Sequence, residues 1–380
     1  MSFAQLTEAH ELFRVQIRRF VEEKIRPHGE AWEEAGQVPR ELLREMGALG
    51  FLGLRYAEEY GGAGADPLMS VMLAEELGRS SFGGVTATVL VHTDMASPHL
   101  VNAGNKAQRD KYLKKVIAGE LVTVIGVTEP DAGSDVAGMR ATARKVDGGY
   151  VLNGAKMFIT NGVYGDLYFI GAKTDPAAKG SRGISIFIVE KGMPGFKVGR
   201  KLRKMGWLCS DTAELIFEDC FVPAENLLGE ENKGFYAIMK NFQNERLVLS
   251  AMAVGESLKA LELTLDYVKD RKAFGGVLFD KQAIRQRLSM RWAQVEAARQ
   301  FVYHVGWKYG QGMDCVKEVS MLKALCGELV NDVMYDCQQF HGGFGYIRES
   351  AIERMARDAR ILPIGGGASE VMLEEVAKRL

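Results

Sequence analysis

The sequence predicts an α+β protein of three consecutive parts: a helical N-terminal domain over 1–120, a middle antiparallel β domain over 121–232, and a helical C-terminal domain over 233–380. Three observations carry this reading. Apolar residues recur at helical spacing up to Ile117. From Leu121 they give way to short β-branched and aromatic runs punctuated by Gly, Asn, Asp and Pro. Long amphipathic stretches return at Gly234. A chain of 380 residues exceeds one ordinary compact core, and 47% hydrophobic with 26% charged residues is the balance of a soluble globular protein.

In the first part, Phe13, Ile17, Phe20, Val21 and Ile25 mark one face of a helix that Pro27 ends. A shorter helix is expected over 40–46, a flexible turn at Gly61-Gly62-Ala63-Gly64, and further helices over 67–77, 86–101 and 107–117. His92 and His99 in this region are read as satisfied interior or surface residues. Strands are expected over 122–127, 141–146, 150–152, 167–172, 184–189 and 213–217. No long helical pattern lies between them, so the crossovers of a parallel sheet are not expected, and either a barrel or a sandwich fits. In the last part, 235–270 reads as one helix of about 50 Å at 1.5 Å per residue. Helices over 280–310 and 316–339 follow, and Pro363 with Gly365-Gly366-Gly367 breaks the pattern before a last helix over 369–380. Short connections between long helices indicate an antiparallel bundle.

A net charge of −1 offers no electrostatic footprint for nucleic acid or an anionic membrane. No basic-apolar-small leader opens the chain and no apolar run is long enough for a bilayer, so a cytoplasmic protein without membrane insertion is expected. A mitochondrial matrix location with the leader removed is the alternative, and the start at Met1 leans against it. Five cysteines without CxxC spacing and six scattered histidines without an HExxH pair give no footing for a disulfide framework or a metal site. Cys315, Cys326 and Cys337 are spaced by eleven, which returns to nearly one helix face, so they read as small core residues. Dinucleotide-fold, P-loop and serine-hydrolase signatures are missing too.

Two kinds of segment remain that could carry chemistry. Asn244-Glu245-Arg246-Leu247-Val248-Leu249 sets a carboxylate in front of an apolar run. By itself Glu245 is either a charge favoured in a helix's first turn beside Arg246, or a desolvated carboxylate tuned toward general-base work. The other kind is a pair of β-domain loops, Val127-Thr128-Glu129-Pro130-Asp131-Ala132-Gly133-Ser134-Asp135 and Phe158-Ile159-Thr160-Asn161-Gly162. Each taken alone is ordinary turn chemistry. Together, hydroxyls and free amides beside an aromatic face suit a flat heteroaromatic ligand with polar edges.

Glu129-Pro-Asp-Ala-Gly-Ser-Asp, Phe158-Ile-Thr-Asn-Gly, Arg271-Lys-Ala-Phe-Gly and Gln339-Phe-His-Gly-Gly-Phe-Gly-Tyr follow one another in an order and spacing that resembles the acyl-CoA dehydrogenase family. The resemblance spans essentially the whole chain and implies its fold, with the C-terminal part a four-helix bundle. It also implies FAD, held between the β domain and the bundle with help from a neighbouring subunit of a homotetramer built as a dimer of dimers. By matching position, Ile125, Val127, Thr128, Gly133 and Ser134 with Phe158, Ile159 and Thr160 hold the isoalloxazine. Arg271, Phe274, Gln282, Gln339, Gly342 and Gly343 come from the partner onto the pyrophosphate and adenine half. Ala368, Ser369 and Glu370 complete the cofactor site, Ala368 standing where the family usually has threonine. Ser134, Ser181, Arg182, Tyr236, Arg246, Gly365 and Gly367 fall where relatives meet the acyl-CoA thioester.

The informative departure is the base. Most members carry it as the Glu of a Tyr-Glu-Gly-Thr loop, which here reads Gly365-Gly366-Gly367-Ala368. In that respect the chain resembles the isovaleryl-CoA and long-chain branches, whose base lies on the long helix at the position of Glu245. The resemblance then implies α-proton abstraction by Glu245, an oxyanion donor at the Gly366 N–H, β-hydride transfer to the flavin, a trans-2-enoyl-CoA product and an electron-transferring flavoprotein as acceptor. Gly365 in place of tyrosine opens space near the α and β carbons, so a long-chain or branched acyl-CoA is expected, with citronellyl-CoA one specific possibility. An acyl-CoA oxidase, a non-catalytic flavin-binding relative and a purely structural helical protein are the rival readings.

Overall fold

A computed structural model of the chain describes residue 3, residues 5–178 and residues 180–380; Met1 lies outside them. The first segment comprises α1 (Glu8–Phe20), α2 (Gly29–Ala35), α3 (Arg40–Ala48), α4 (Pro67–Gly78), α5 (Gly83–Leu90), α6 (Ser97–Ala103) and α7 (Lys106–Ile117). The helix expected over 86–101 is thus divided, because a π-helical stretch, Val91–Ala96, separates α5 from α6. Pro98 explains the break: it has no N–H to offer the carbonyl of Asp94 four residues back. The side-chain amides of Asn241 and Asn244 take up that task, donating to the Asp94 carbonyl at 3.1 and 3.0 Å. Asn241 also donates to the Met95 carbonyl at 3.0 Å. Both histidines here are interior. His92 packs between the Val116 carbonyl at 3.0 Å and the Thr123 backbone N–H at 3.1 Å, and burial pushes it down to about 4, so it is neutral.

The middle segment contains β1 (Thr123–Gly126), β2 (Thr142–Val146), β3 (Gly149–Thr160), β4 (Leu167–Lys173), β5 (Ile184–Glu190), β6 (Phe196–Lys201), β7 (Thr212–Pro223) and β8 (Leu227–Leu228). The strands run in the order β6-β7-β3-β2-β4-β5-β8, with β1 beside β4. Val124, Ala143, Tyr150, Ile170, Phe187, Phe196 and Leu215 come from seven successive strands yet share one core, so the sheet curls around it. The expectation of a wholly antiparallel domain needs correction: β1 pairs with β4 in parallel, and β2 touches β4 in parallel at Thr142 and Lys173. The return from β1 to β4 is made by a loop and the β2–β3 hairpin, so no crossover helix was there to be read. The outer face of β4 and β5, through Leu167, Phe169, Ile186 and Ile188, packs on Leu113 and Val116 of α7.

The last segment opens with α8 (Gly234–Asp270), 37 residues long. A hairpin of β9 (Lys272–Ala273) and β10 (Gly276–Val277) follows, then α9 (Gln282–Gly310), α10 (Val316–His341), α11 (Ala351–Ala359) and α12 (Ser369–Ala377). The apolar run after Glu245 is buried on all sides, and a helix of that kind needs neighbours all round. It has them: Phe13, Val71 and Leu77 from the first segment join Leu247, Val302 and Val330 in a single core. The two helical segments, far apart in sequence, are one packed body in space. Cys326 and Cys337 lie buried in α10 and Cys315 buried just before it, as core residues. Among the described residues no helix is long and apolar enough to cross a membrane.

Candidate active site

Glu245 sits three turns into α8, beside the loop that links α11 to α12. A Cβ built on Gly366 would lie 3.4 Å from Glu245 Oε1 and 2.4 Å from Leu249 Cδ1. The carboxylate therefore borders the space into which a side chain at position 366 would project. Burial pushes Glu245 up to about 7, while the positive charges of Arg246 and Lys323 oppose the shift. Gly366 has φ +66 and Gly367 φ +111, backbone that L side chains adopt only with strain. Gly366→Ala is expected to cost about 1–3 kcal/mol from backbone strain and the Leu249 contact. Thermal unfolding reads this directly, and an unchanged midpoint would show that the loop stands clear of α8.

Arg246 does not form an ion pair with Glu245. Its guanidinium lies over the Phe242 ring at 5.5 Å, and its buried Nε has no hydrogen-bond partner among the described residues. That Nε lies 3.5 Å from the position of a Cβ on Gly367, so a donor is aimed at the glycine loop. Lys323 of α10 lies beneath the same loop, donating to the carbonyls of Leu362 at 2.5 Å and Gly367 at 3.0 Å. Burial pulls Lys323 down to about 8 although Glu245 favours its charge. Sequence reasoning passed over Lys323. The available signal was a charge on the buried face of α10, among Val319, Leu322, Cys326 and Val330.

The second cluster lies in the β domain. Phe158-Ile159-Thr160 was expected as a loop; it is the end of β3, next to an irregularity between Lys156 and Ile159 in the pairing with β7. Phe158 has φ +60 and is 65% exposed, a strained backbone that turns an aromatic face outward. Ile159 points into the β core, leaving its backbone to face the site. The Met157 N–H donates to the Thr128 carbonyl at 2.9 Å, which brings Val127 and Thr128 alongside Phe158 and Thr160. Beneath them lies a buried pair that sequence reasoning also missed, Lys156 Nζ to Glu129 Oε1 at 2.7 Å. Ile125 is half-buried in β1, and Gly133 and Ser134 are exposed on the following turn.

The third cluster is an open recess of about 790 Å³ lined by Tyr267, Arg271, Leu278, Ile284 and the Gln339–Phe344 turn. No residue of the middle segment lines it. A Cβ on Gly342 or Gly343 would meet nothing within 4 Å, so their backbone faces open space. Phe274 and Gly275, at φ +53 and +79, form the tip of the β9–β10 hairpin, with the Phe274 ring 93% exposed. Gln282 is exposed at the start of α9.

The remaining predicted residues are scattered. Ser369 Oγ donates to Glu328 Oε1 at 2.6 Å, Glu370 is exposed, and Ala368 begins α12 without a side-chain cap. Tyr236, 58% exposed, stands on the first turn of α8, and Ser181 and Arg182 lie in the β4–β5 turn. Among the described residues no hydrogen bond or ion pair joins Tyr236, Ser181 or Arg182 to Glu245, and Gly365 borders Ile361. The residues nonetheless fit a flavin dinucleotide. An exposed aromatic face with hydroxyl edges suits a flat ring system, and a guanidinium with side-chain-free amides suits a diphosphate.

Models of the acyl-CoA dehydrogenase N-terminal, middle and C-terminal domains match residues 7–120, 124–220 and 232–380. The mouse (Mus musculus) mitochondrial long-chain specific acyl-CoA dehydrogenase is 40% identical, over 98% of this chain and 86% of its own length. The rice (Oryza sativa subsp. japonica) mitochondrial isovaleryl-CoA dehydrogenase is also 40% identical, over 98% of this chain and 91% of its own. The crystal structure of an acyl-CoA dehydrogenase from Geobacillus kaustophilus superposes with a TM-score of 0.96 at 41% identity, covering 100% of this chain and 99% of that one. Fold and matches together define a flavin-dependent oxidoreductase. The chain belongs to the acyl-CoA dehydrogenase family, and dehydrogenation of an acyl-CoA is its activity.

Proposed function

We propose that Glu245 is the base that removes the α-proton of a long-chain or branched acyl-CoA. The observation that carries this reading is the 3.4 Å approach of its carboxylate to the point where a Cβ on Gly366 would stand, beside a loop that has no carboxylate of its own. A base needs only its carboxylate in place, not a particular backbone. Burial at about 7 makes this carboxylate far more basic than an exposed one, yet ionised in a large fraction near neutral pH. The backbone N–H of Gly366 is the donor that steadies negative charge on the thioester oxygen, and loss of a side chain there leaves that donor intact. Arg246, beside the loop, orients the thioester where it passes Gly365 and Gly367, while Ser134, Ser181, Arg182 and Tyr236 meet the CoA portion.

Bound FAD would supply the acceptor for the β-hydride. Ile125, Val127, Thr128, Gly133, Ser134, Phe158, Ile159 and Thr160 would hold its ring, completed by Ala368, Ser369 and Glu370. Arg271, Phe274, Gln282, Gln339, Gly342 and Gly343 would hold the diphosphate and adenine half of a partner subunit's cofactor. That no residue of the ring-side cluster lines the recess supports sharing between subunits, and hence a homotetramer as a dimer of dimers. We take the domains to run 1–120, 121–232 and 233–380, the acceptor to be an electron-transferring flavoprotein, and the location to be cytoplasmic in a bacterium or the mitochondrial matrix in a eukaryote.

Anaerobic addition of an acyl-CoA panel to the flavin-loaded enzyme tests the substrate. Long or branched chains, isovaleryl- and citronellyl-CoA among them, are expected to bleach the flavin faster than straight short chains. Equal rates across the panel would remove the argument from Gly365. Oxygen consumption without an added acceptor would favour oxidase chemistry instead.

A further inference from the structure

We infer that Lys323 is a positioning residue of this site: its buried ammonium clamps the Gly365–Gly367 loop from beneath and so fixes the Gly366 N–H and the Glu245 carboxylate relative to each other. This deepens, and rests on, the reading of Glu245 as the base. Three consecutive glycines have no side chains to anchor them, and ordering glycine backbone costs more entropy than ordering any other residue. The anchors come from α10. Asn331 Nδ2 donates to the Ala359 carbonyl at 3.0 Å, before the loop, and Glu328 receives Ser369 Oγ at 2.6 Å, after it. Lys323 spans the loop from before the glycines to the last of them, binding the Leu362 carbonyl at 2.5 Å and the Gly367 carbonyl at 3.0 Å.

Its geometry toward the base is equally defined. Lys323 Cε lies 3.8 Å from the position of a Cβ on Gly366, and Glu245 Oε1 lies 3.4 Å from that same point. Lysine stem and carboxylate thus flank one spot, the place where the loop passes α8. Lys323 is 2% exposed, and a buried ammonium is costly unless its hydrogens are received. Two loop carbonyls receive them. The charged groups that bear on Glu245 are Arg246 on α8 and Lys323 on α10. Glu375 on α12 bears on Arg246, and Glu328 and the Cys326 thiol bear on Lys323. Arg246 makes no hydrogen bond to the loop among the described residues, so Lys323 is the cation that holds the loop, and it acts on Glu245 through its charge.

A purely structural lysine would satisfy the two carbonyls and do no more, and the pH profile separates the two roles. In the flavin-loaded enzyme, Lys323→Met removes both the charge and the donors, whereas Lys323→Gln keeps a donor without the charge. The Met variant is expected to lose about 10- to 100-fold in kcat, the cost of a base and donor displaced by a fraction of an ångström to an ångström. KM should change much less. In both variants the acid limb of kcat/KM should move to higher pH, because a positive charge that favours the carboxylate has gone. Amide exchange in the peptide spanning 363–369 should speed up in Met and stay close to wild type in Gln. A wild-type acid limb together with wild-type loop exchange in both variants overturns the inference. So does a loss of kcat that follows a loss of fold or flavin with the limb unmoved, which is the structural role alone. Failure of the base assignment is a separate result, retained turnover in Glu245→Gln, and loop exchange reads the clamp whichever residue is the base.

Discussion

Glu245→Gln is expected to lower kcat about 10²- to 10⁴-fold, the range spanned by general-base contributions, with flavin content unchanged. The amide fills the same space but cannot take the α-proton. In the wild type the reactive form is the carboxylate, and burial holds this group at about 7, so kcat/KM should rise as pH passes through that value. The same displacement predicts a gain in stability. A carboxyl whose folded pKa exceeds its unfolded value of about 4.3 contributes most to stability below that value. The contribution is lost as pH rises through about 7, where the desolvated group must ionise. Glu245→Gln, which never ionises, should therefore unfold at higher temperature than wild type above pH 7, by the equivalent of about 1–3 kcal/mol, and show little difference near pH 4. Wild-type turnover in this variant would falsify the base assignment. An inactive variant with no pH-dependent gain would show instead that the carboxyl is well hydrated.

Lys156→Met is expected to have the largest effect on stability. Lys156 is fully buried and Glu129 4% exposed, and their 2.7 Å contact has no solvent to fall back on. Removing one partner leaves a buried charge uncompensated, which typically costs about 3–5 kcal/mol. Part of Glu129's charge stays satisfied by the N–H groups of Arg140 at 2.5 Å and Ala141 at 3.0 Å, so the lower half of that range is expected. The pair ties β3 to the turn after β1, the two segments assigned to the flavin ring, and Lys156 also donates to the Val127 carbonyl at 3.2 Å. Flavin retention should fall along with the unfolding midpoint. Lys156→Met combined with Glu129→Gln should recover part of the loss, because the orphaned charge is then gone. Unchanged unfolding in the single variant would mean that water or a neighbour replaces the ammonium.

The architecture was legible because its signals are periodic. The buried stripe of α1, the unbroken apolar run of α8 and the strand-like runs of β4 and β5 declare themselves through spacing alone. Contacts that depend on the third dimension were not legible. The parallel pairing of β1 with β4 arises from a hairpin inserted between them, and no rule about crossover helices could reveal it. Phe158 read as a loop residue because its aromatic is set beside hydroxyls, whereas it occupies the irregular end of a strand that began at Gly149. Within the site, Glu245 was found through a missing carboxylate at Gly366, an argument from family resemblance that composition could not have supplied. Lys323 and Lys156 stayed hidden since a lysine in a helix or strand normally reads as surface, and only packing shows which of them is enclosed.

The break at Pro98 has a consequence for how α8 is held. Its two asparagines, one turn and one residue before Glu245, are fastened to main-chain oxygens of the first helical segment. Arg55 Nη1 adds a further hold on Asn244 Oδ1 at 2.5 Å. A long rod secured near one point keeps its rotation and its height there, whatever happens toward its ends. The azimuth of Glu245 is accordingly dictated from outside the C-terminal bundle, by residues about 150 positions earlier in the chain. Alterations around Asp94 and Pro98, which touch none of the glycines, would swing the carboxylate as a tuning peg turns a string.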